Sequence, residues 1–442
     1  MIKVENLADI FKIEDLRKKF IFTLMIIAVY RLGAAIPTPG IDGAALKAFF
    51  ATQNNTLFGF LDMFSGGAMN KFSIFSMGIM PYINASIIMS LLQTIVPSLE
   101  KLSKEGEAGR KKLIQITRYG TLGLGLIQSF GLTYMIQAMR SPSGAPVVIE
   151  PGLSFQLLAV LTLTTGTVFI MWLGEQITEK GIGNGISLII FAGIVNRLPA
   201  AIKNVFLLLQ SDGVSILKIV FILALILVVI ALVVRVEQGQ RRIPIQYPKK
   251  YVGRKEAGGQ SSFLPIKVDQ SGVISVIFAI SIISFPITLA QFFPEAPTSK
   301  IVMSLWSNAG VFYHIIFAAL IIFFCYFYTS ITFNPNDIAE NMKKSGGFIP
   351  GIRPGEATAK FIEYVVIRIT FFGAIFIAAL AVMPDILRKA LNAPFYFGGT
   401  ALLIAVGVAI DFISQLESNM IMRHYDGFMD KGRIKGRYFN IK

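Results

Sequence analysis

Residues able to carry out chemistry are few in this sequence, and they lack the spacing that catalysis or metal binding requires. The 442 residues include one cysteine, Cys325, and two histidines, so neither an internal disulfide nor a Cys/His cluster for structural zinc is predicted. His314 has no HExxH motif around it, and the phosphate-binding pattern GxxxxGK[ST] does not occur. We therefore expect no metal, no cofactor and no enzymatic activity, with His314 and Cys325 acting as packing residues.

A glycine-rich stretch, EKGIGNGIS, places Gly181, Gly183 and Gly185 at alternate positions. One interpretation is a dinucleotide-binding turn, but no strand pattern precedes the stretch. We favour the other interpretation, in which a helix ends at Gly181 and closely packed backbone follows.

Charges within the apolar segments of the chain all fall towards the ends of those segments. Carriers that are coupled to protons or ions usually place an ionisable group near the middle of the membrane. The sequence offers none at that depth, so a pathway through this chain is predicted to be apolar. The charged residues concerned are Arg31, Lys218, Glu363, Arg368 and Asp411.

The composition indicates that lipid surrounds most of the chain. Hydrophobic residues make up 54% and charged residues 15%, against roughly 25% charged residues in soluble domains. Mean hydropathy is +0.64. These values predict a multi-pass membrane protein, and its apolar runs predict ten spans, at residues 20–36, 72–96, 119–139, 155–173, 186–196, 214–234, 272–293, 309–333, 362–383 and 395–416.

The fifth span is the weakest of the ten, because its apolar run stops at Arg197. Two interpretations remain open. Either the helix continues through Leu209 with Arg197 reaching an interface, or the helix ends and a separate periplasmic helix follows.

The segment before the second span is too short to cross a bilayer. Residues 57–64 would form a helix of about 12 Å, whereas a hydrocarbon core is roughly 30 Å thick. Ser65, Gly66 and Gly67 follow and can turn the backbone sharply. A short helix that enters the membrane must be lined by protein or water. This arrangement implies a cavity, and a cavity through a membrane implies transport.

The distribution of positive charge predicts the orientation of the spans. With the N-terminus inside, the inner segments hold 30 Lys and Arg in 143 residues and the outer segments hold 8 in 93. Both termini are therefore predicted to be cytoplasmic. Five plus five spans give two halves of opposite topology, as in an inverted repeat. We divide the chain into a cytoplasmic segment (1–19), a first half (20–209), a second half (210–416) and a cytoplasmic tail (417–442).

Two of the inner segments are long and basic. Residues 235–271 hold eight Lys and Arg against three acids, and residues 334–361 combine basic side chains with Pro and Gly turns. These loops could merely obey the positive-inside rule. Their length and their rigid turns also fit a docking role, since short loops would be enough for orientation.

Several motifs, taken together and in order, resemble those of the SecY family, the channel subunits of the bacterial protein translocase. The resemblance covers essentially the whole chain. It rests on DMFSGG (62–67), GIMPYINASII (78–88), TRYGTL (117–122), GEQITEKGIGNGIS (174–187), GQRRI (239–243), FNP (333–335), KKSGGFIPGIRPG (343–355) and GGTALL (398–403).

The resemblance implies an all-α membrane protein with ten helices in two inverted halves and an hourglass pore. A short plug helix at about residues 57–67 would close the pore, with Phe60, Leu61, Asp62, Met63, Phe64, Ser65, Gly66 and Gly67 at its centre. A ring of aliphatic side chains would form the constriction: Ile79, Ile83, Ile186, Ile190, Ile277 and Ile404. One departure from the family pattern is Ser275, where many members have proline, and we expect its loss to change the local helix bend near Ile277.

The resemblance also implies a lateral gate between spans 2 and 3 on one side and spans 7 and 8 on the other. Asn84, Gln128 and Phe285 are the candidate gate residues, although helix packing explains Gln128 as well. Docking of the SecA motor or of ribosomal RNA phosphates would fall to Arg241, Arg242, Lys249, Lys250 and Arg353.

The function implied is passage of unfolded secretory polypeptides (preproteins) across the bacterial plasma membrane, with release of signal sequences sideways into lipid. SecE and SecG would be the partner subunits. A secondary small-solute transporter and a purely structural scaffold are the alternatives. The absence of midplane charge disfavours the first, and the short broken helix disfavours the second.

Overall fold

The computed structural model describes residues 13–52, 62, 65–142, 144–199, 202–203, 207, 216–247, 249–252, 255–258, 262–292, 297, 310–391 and 399–431. Its helices are α1 (Glu14–Gly33), α2 (Gly43–Thr52), α3 (Met80–Ile95), α4 (Pro97–Lys104), α5 (Glu107–Ala138), α6 (Leu153–Lys180), α7 (Gly185–Val195), α8 (Ile216–Glu237), α9 (Val273–Phe292), α10 (Val311–Thr332), α11 (Pro335–Lys344), α12 (Glu356–Leu391) and α13 (Gly399–Lys431).

Each of the ten predicted spans contains one of these helices. Within the described ranges, five helices are long and apolar enough to cross a membrane on length and composition alone; they lie in α6, α8, α10, α12 and α13. A sixth is added if α3 and α4, which meet at 99°, are counted as one span. Helix α7 is apolar but shorter than these helices. Helices α1 and α5 each begin with charged residues that precede their apolar segment.

The second span differs from its prediction, because helix α3 begins at Met80 and not at Phe72. Phe72 and Gly78 both have a positive φ, of 43° and 57°. Such values interrupt a right-handed helix. Pro81 lies in the first turn of α3, where its missing N–H costs nothing. Residues 73–79 are therefore irregular backbone that leads into a short helix.

The fifth span ends early. Helix α7 stops at Val195, Asn196 and Arg197 form a turn, and residues 198–199 and 202–203 are helical again. An unbroken helix towards Leu209 is therefore wrong, and a separate following helix is the interpretation that fits; Leu209 itself lies outside the described residues.

The glycine-rich stretch is a helix end followed by close packing, as favoured above. Gly181 follows the last residue of α6 and donates its N–H to the carbonyl of Ile177 at 2.8 Å. A Cβ on Gly185 would lie 2.0 Å from the carbonyl oxygen of Gly174. The glycines thus allow α6 and α7 to meet through their backbones.

The two long basic loops form one small domain at one end of the helices. Strand β1 (Gln240–Ile245) pairs antiparallel with β4 (Ser262–Lys267), and β2 (Lys249–Val252) pairs with β3 (Lys255–Gly258). Gln246 and Phe348 exchange backbone hydrogen bonds at 2.9 and 3.0 Å, which ties the first loop to the second. Buried residues of both loops, including Ile243, Ile266 and Ile349, pack with the start of α12.

Helix α9 is central to the packing of the bundle, because it contacts α3, α5, α10 and α13. Cys325 on α10 is buried, as predicted, and its Sγ lies 3.3 Å from Ser275 Oγ on α9. His314, also on α10, places Nδ1 2.9 Å from the carbonyl oxygen of Gly310. Cys325 thus lies in a contact between two helices, whereas this contact of His314 is with the start of its own helix.

Candidate functional site

One apolar cluster at the centre of the bundle contains all six isoleucines predicted for the pore ring. They come from the turn before α3 (Ile79), from α3 (Ile83), from α7 (Ile186 and Ile190), from α9 (Ile277) and from α13 (Ile404). Five of them are at most 7% exposed, and Ile186 is partly buried. Elements of both halves therefore meet through these side chains, while their role as a constriction stays a prediction.

Four of the eight plug residues, Phe60, Leu61, Met63 and Phe64, lie outside the described residues. The other four are Asp62, Ser65, Gly66 and Gly67. Asp62 is 1% exposed and forms an ion pair with Arg197. Its carboxylate also accepts hydrogen bonds from the backbone N–H and the side-chain amide of Asn70, at 3.0 and 2.6 Å. The buried charge is thus both paired and hydrogen-bonded, as burial of a charge requires.

The carbonyl groups that follow Asp62 are held from two other helices. Tyr30 on α1 donates its hydroxyl to the Ser65 carbonyl at 3.2 Å. Arg31 Nη1 and Asn196 Nδ2 both donate to the Gly66 carbonyl, at 3.1 and 3.2 Å. We call the four residues that hold this segment the latch: Tyr30, Arg31, Asn196 and Arg197.

Gly66 is required at its position for two reasons. Its φ is +66°, and a Cβ would lie 2.7 Å from the Cα of Gly193 on α7. Gly67, with φ +88°, continues the turn. Gly66 lets the segment lie against α7 at a distance that a side chain would prevent, and Gly67 supplies the positive φ of the turn.

Sequence reasoning missed the latch. It placed Arg31 at a span end, it placed Arg197 at an interface in only one of two interpretations, and it gave Tyr30 and Asn196 no role. The partners are 35 residues apart for Arg31 and Gly66 and 135 residues apart for Arg197 and Asp62. No periodic pattern in a single sequence connects residues at such separations.

At the predicted lateral gate, α9 packs against both α3 and α5. Asn84 on α3 is 8% exposed, and Gln128 on α5 is partly buried. Phe285 lies on α9, but its side chain is outside the described part of the chain. Helices α3, α5 and α9 therefore pack together at the predicted gate. Ser275, named above as a departure from the family pattern, donates its hydroxyl to the Gly272 carbonyl at 3.2 Å at the start of α9.

A polar cavity of about 190 Å³ lies where α8 ends and α9 begins. Glu237, Asp269 and Asp411 contribute carboxyl groups to its lining, and Lys267 contributes the one cation among the residues that line it. The pore-ring residue Ile277 forms part of the same wall. We call this the acidic cavity. Sequence reasoning counted its acids without bringing them together, because they lie on three separate elements.

Asp269 is the most buried of the three acids, at 5% exposure. Its Oδ1 accepts hydrogen bonds from the Gly272 N–H at 2.7 Å and from the Ser271 hydroxyl at 3.0 Å, which caps the start of α9. Burial raises the pKa of Asp269, although these two hydrogen bonds oppose the rise.

No group of three His, Cys, Asp or Glu side chains in the described ranges is placed to hold a metal ion.

Comparison with known proteins decides the family. The sequence model of the SecY family matches residues 73–413, which is more than three quarters of this chain. The chain belongs to the SecY family.

Relatives named protein translocase subunit SecY match over nearly the whole chain. The SecY of Aquifex aeolicus is 44% identical over 96% of this chain and 99% of its own. The SecY of Escherichia coli strain K12 is 46% identical over 96% of both chains. As a SecY-family member, this chain is a subunit of a protein-conducting channel and not an enzyme. The small-solute transporter alternative finds no support among these relatives.

Solved structures share the fold. A protein-conducting channel and a SecY channel studied for its plug domain superpose with TM-scores of 0.66 and 0.67. Each is 18% identical and covers 95% of this chain and 95% of its own. Sec61 in the canine ribosome–channel complex superposes with a TM-score of 0.64 at 17% identity, covering 95% of both chains. The predicted all-α, ten-helix SecY architecture is confirmed, and the chain is a multi-pass membrane protein.

Breaking the latch should open this SecY-family channel. Replacing Arg197 by Ala leaves the Asp62 carboxylate buried without its counter-charge, which costs about 3–5 kcal/mol. About 1.4 kcal/mol changes an equilibrium constant tenfold. The fraction of channels in which the segment held by the latch is displaced should therefore rise at least about 100-fold. Ion conductance of the purified complex in planar bilayers measures this rise.

Two matched variants test whether charge is the cause. Asp62→Asn combined with Arg197→Ala should leak less than Arg197→Ala alone, because no unpaired carboxylate remains. Lys203→Ala removes an exposed cation nearby and should leave conductance unchanged. Equal conductance in wild type and Arg197→Ala would show that the ion pair does not hold the segment.

The raised pKa of Asp269 predicts how stability depends on pH. The Asp269 carboxyl binds its proton more tightly in the folded state than in the unfolded state. In the unfolded state the pKa of an aspartate carboxyl is about 3.9. The resulting stabilisation is complete below that value and is lost as the pH rises through the higher folded pKa. Asp269→Asn keeps an oxygen for the helix cap, so it should flatten this part of the dependence of Tm on pH. An unchanged slope in the variant would contradict the assignment.

Proposed function

We propose that the six isoleucines form the constriction of the channel and that the latched segment at Asp62–Gly67 belongs to the plug that closes it. The observation that supports the proposal is that ring residues adjoin the latched segment in the chain and also lie on α7, the helix that leads to two residues of the latch. The ring residues Ile79 and Ile83 follow the latched segment in the chain, and Ile190 lies on α7, whose end supplies Asn196 and Arg197 to the latch.

An apolar ring suits a channel for polypeptides. It offers no charge or hydrogen bond to replace the hydration of an ion, so it resists ion passage by dewetting. Aliphatic side chains can also move apart around an unfolded chain of any sequence. Such a pore passes polypeptides without requiring one recognised sequence.

The proposed lateral gate is the seam where α3 and α5 pack against α9, with α10 packed against α9 as well. Separation of α9 from α3 and α5 would open the pore to lipid, into which an apolar signal sequence can partition. Asn84, Gln128 and Phe285 line the proposed path.

The proposed docking surface is the small domain formed by the two basic loops. Arg241 and Arg242 are exposed on β1, and Arg353 is exposed in the turn before α12. The Gln246–Phe348 pairing holds the two loops together. SecA or the ribosome would bind here, the ribosome through its RNA phosphates; Lys249 and Lys250 on β2 would add positive charge. The fold similarity to a ribosome-bound Sec61 channel supports the second partner.

The setting we propose is the bacterial plasma membrane, with both termini and the basic loops on the cytoplasmic side, as the distribution of Lys and Arg indicates. SecE and SecG are the proposed partner subunits. The chain is proposed to comprise halves 20–209 and 210–416, with terminal segments 1–19 and 417–442 outside the membrane.

Removing ring side chains should make the pore leak. We expect Ile83→Gly with Ile190→Gly to raise ion conductance in planar bilayers at least tenfold, because the constriction loses two aliphatic side chains. Glycine also weakens a helix by about 1 kcal/mol per site. The control is therefore Ile88→Gly with Ile413→Gly, at positions 43% and 46% exposed. Equal conductance in the two double variants would refute the ring.

Reversing charge on the docking surface should block motor-driven export. Arg353→Glu is expected to reduce SecA-dependent, ATP-dependent protection of a preprotein in proteoliposomes at least tenfold, while assembly of the complex is unchanged. Lys101→Glu, an exposed reversal on α4, is the matched control. Normal export by the Arg353 variant would place docking elsewhere.

A further inference from the structure

The acidic cavity is not needed by the pore, plug, gate or docking surface described above, yet it lies beside the pore. Its lining comes from the starts of α7 and α9, from the end of α8 and from the middle of α13. Ile277, a ring residue, shares its wall with Asp269 and Asp411. A polypeptide that enters the ring from the end carrying the basic loops would pass this cavity.

The cavity has more negative than positive charge. Three carboxyl groups line it, whereas Lys267 is the one cation in its lining and is itself exposed to solvent. The carboxyl groups of Glu237 and Asp269 lie within hydrogen-bonding reach of each other. Two ionised carboxylates repel at that distance, which favours a proton shared between them when no cation is bound.

One buried oxygen in the cavity has no ordinary donor. Asp269 Oδ1 is used by the α9 cap, but no N–H or hydroxyl of the described residues reaches its buried Oδ2. The Glu237 carboxyl lies within hydrogen-bonding reach of Asp269, and it can donate a hydrogen bond only when protonated. A cationic donor would satisfy Oδ2 and both ionised carboxylates at once.

Two glycines, Gly272 and Gly407, lie beside the Glu237 carboxyl. A Cβ on Gly272 would lie 3.5 Å from Glu237 Oε1, and a Cβ on Gly407 would lie 3.6 Å from it. The carboxyl therefore sits in a notch between the start of α9 and the face of α13. The carboxyl groups do not form a metal-binding cluster, whereas about 190 Å³ has room for several water molecules of about 30 Å³ each and so for the end of a long side chain.

We propose that the acidic cavity binds a single lysine or arginine side chain of a polypeptide at the mouth of the pore. The proposal rests on the function proposed above. The bound cation replaces the proton shared by Glu237 and Asp269, and that proton is released to water. The basic loops around the mouth repel a cationic segment, and the cavity supplies the local negative charge that offsets this repulsion.

The test compares two preproteins that differ only in the residues before their first apolar segment, with lysine in one and glutamine in the other. Wild-type complex should reach half-maximal translocation at about tenfold lower concentration of the lysine preprotein, since a charge-assisted hydrogen bond contributes about 1.5–3 kcal/mol. Glu237→Gln with Asp269→Asn, and separately Asp411→Asn, should bring this ratio close to one. Glu417→Gln, on the same helix α13 but outside the cavity lining, should keep it.

Translocation of the glutamine preprotein separates the two proposals. Suppose that every variant translocates the glutamine preprotein at the wild-type rate and that the cavity variants still prefer the lysine preprotein. The cavity then does not bind the cation. If wild-type complex moves neither preprotein, the proposed function has failed.

A cross-link tests the same contact without removing a carboxylate. Gln270→Cys places a thiol in the cavity lining, and the native Cys325 is buried. With copper phenanthroline added as the oxidant, a preprotein cysteine next to the lysine should form a disulfide with this thiol at least fivefold faster than the same cysteine in the glutamine preprotein. Equal rates would overturn the proposal even if the carboxylate variants failed to fold.

Discussion

Backbone that is neither helix nor strand can lie within a bilayer only where protein or water supplies its hydrogen bonds. Residues 65–79 of this chain meet that requirement through their neighbours. The Phe72 carbonyl accepts from the Thr38 N–H at 2.9 Å, and the Ile74 N–H donates to the Ile36 carbonyl at 3.1 Å. The Ser76 hydroxyl lies within hydrogen-bonding distance of both the Ala68 and Ser73 carbonyls. With these bonds made, the chain can follow the latched segment with a short helix in place of a full span.

The same constraint explains where glycine is needed. Irregular backbone can replace a helix in the bundle only if neighbouring helices come close enough to bond with it. Gly166 on α6 allows this, because a Cβ there would lie 1.9 Å from the carbonyl oxygen of Ile74. Gly66 allows it on the other side, against Gly193 of α7. Small residues at helix contacts commonly allow helices in membranes to approach one another closely. Here they also allow α6 and α7 to approach the irregular backbone.

Features that are local in sequence could be predicted, and features that depend on distant pairs could not. Ten apolar runs, the helix end at Gly181 and the short segment before the second span follow from composition, periodicity and turn residues. The start of α3 was misplaced by eight residues, at Phe72 and not Met80, because an apolar run looks the same whether it is helical or packed as irregular backbone. The latch and the acidic cavity each join three or more elements, and only their charged residues gave any signal.

Charge is placed around the apolar ring in a way that local hydrophobicity does not explain. The paired Asp62 and Arg197 lie near the C-terminal end of α7, and Asp269 and Asp411 line a cavity at its N-terminal end. Helix α7 has only 11 residues, about 17 Å at 1.5 Å per residue, so these two charged regions lie closer together than a full bilayer would separate them. On our proposal that the six isoleucines form the constriction, their ring separates the two charged regions. Charged groups beside it should therefore be paired or protonated when the pore is closed.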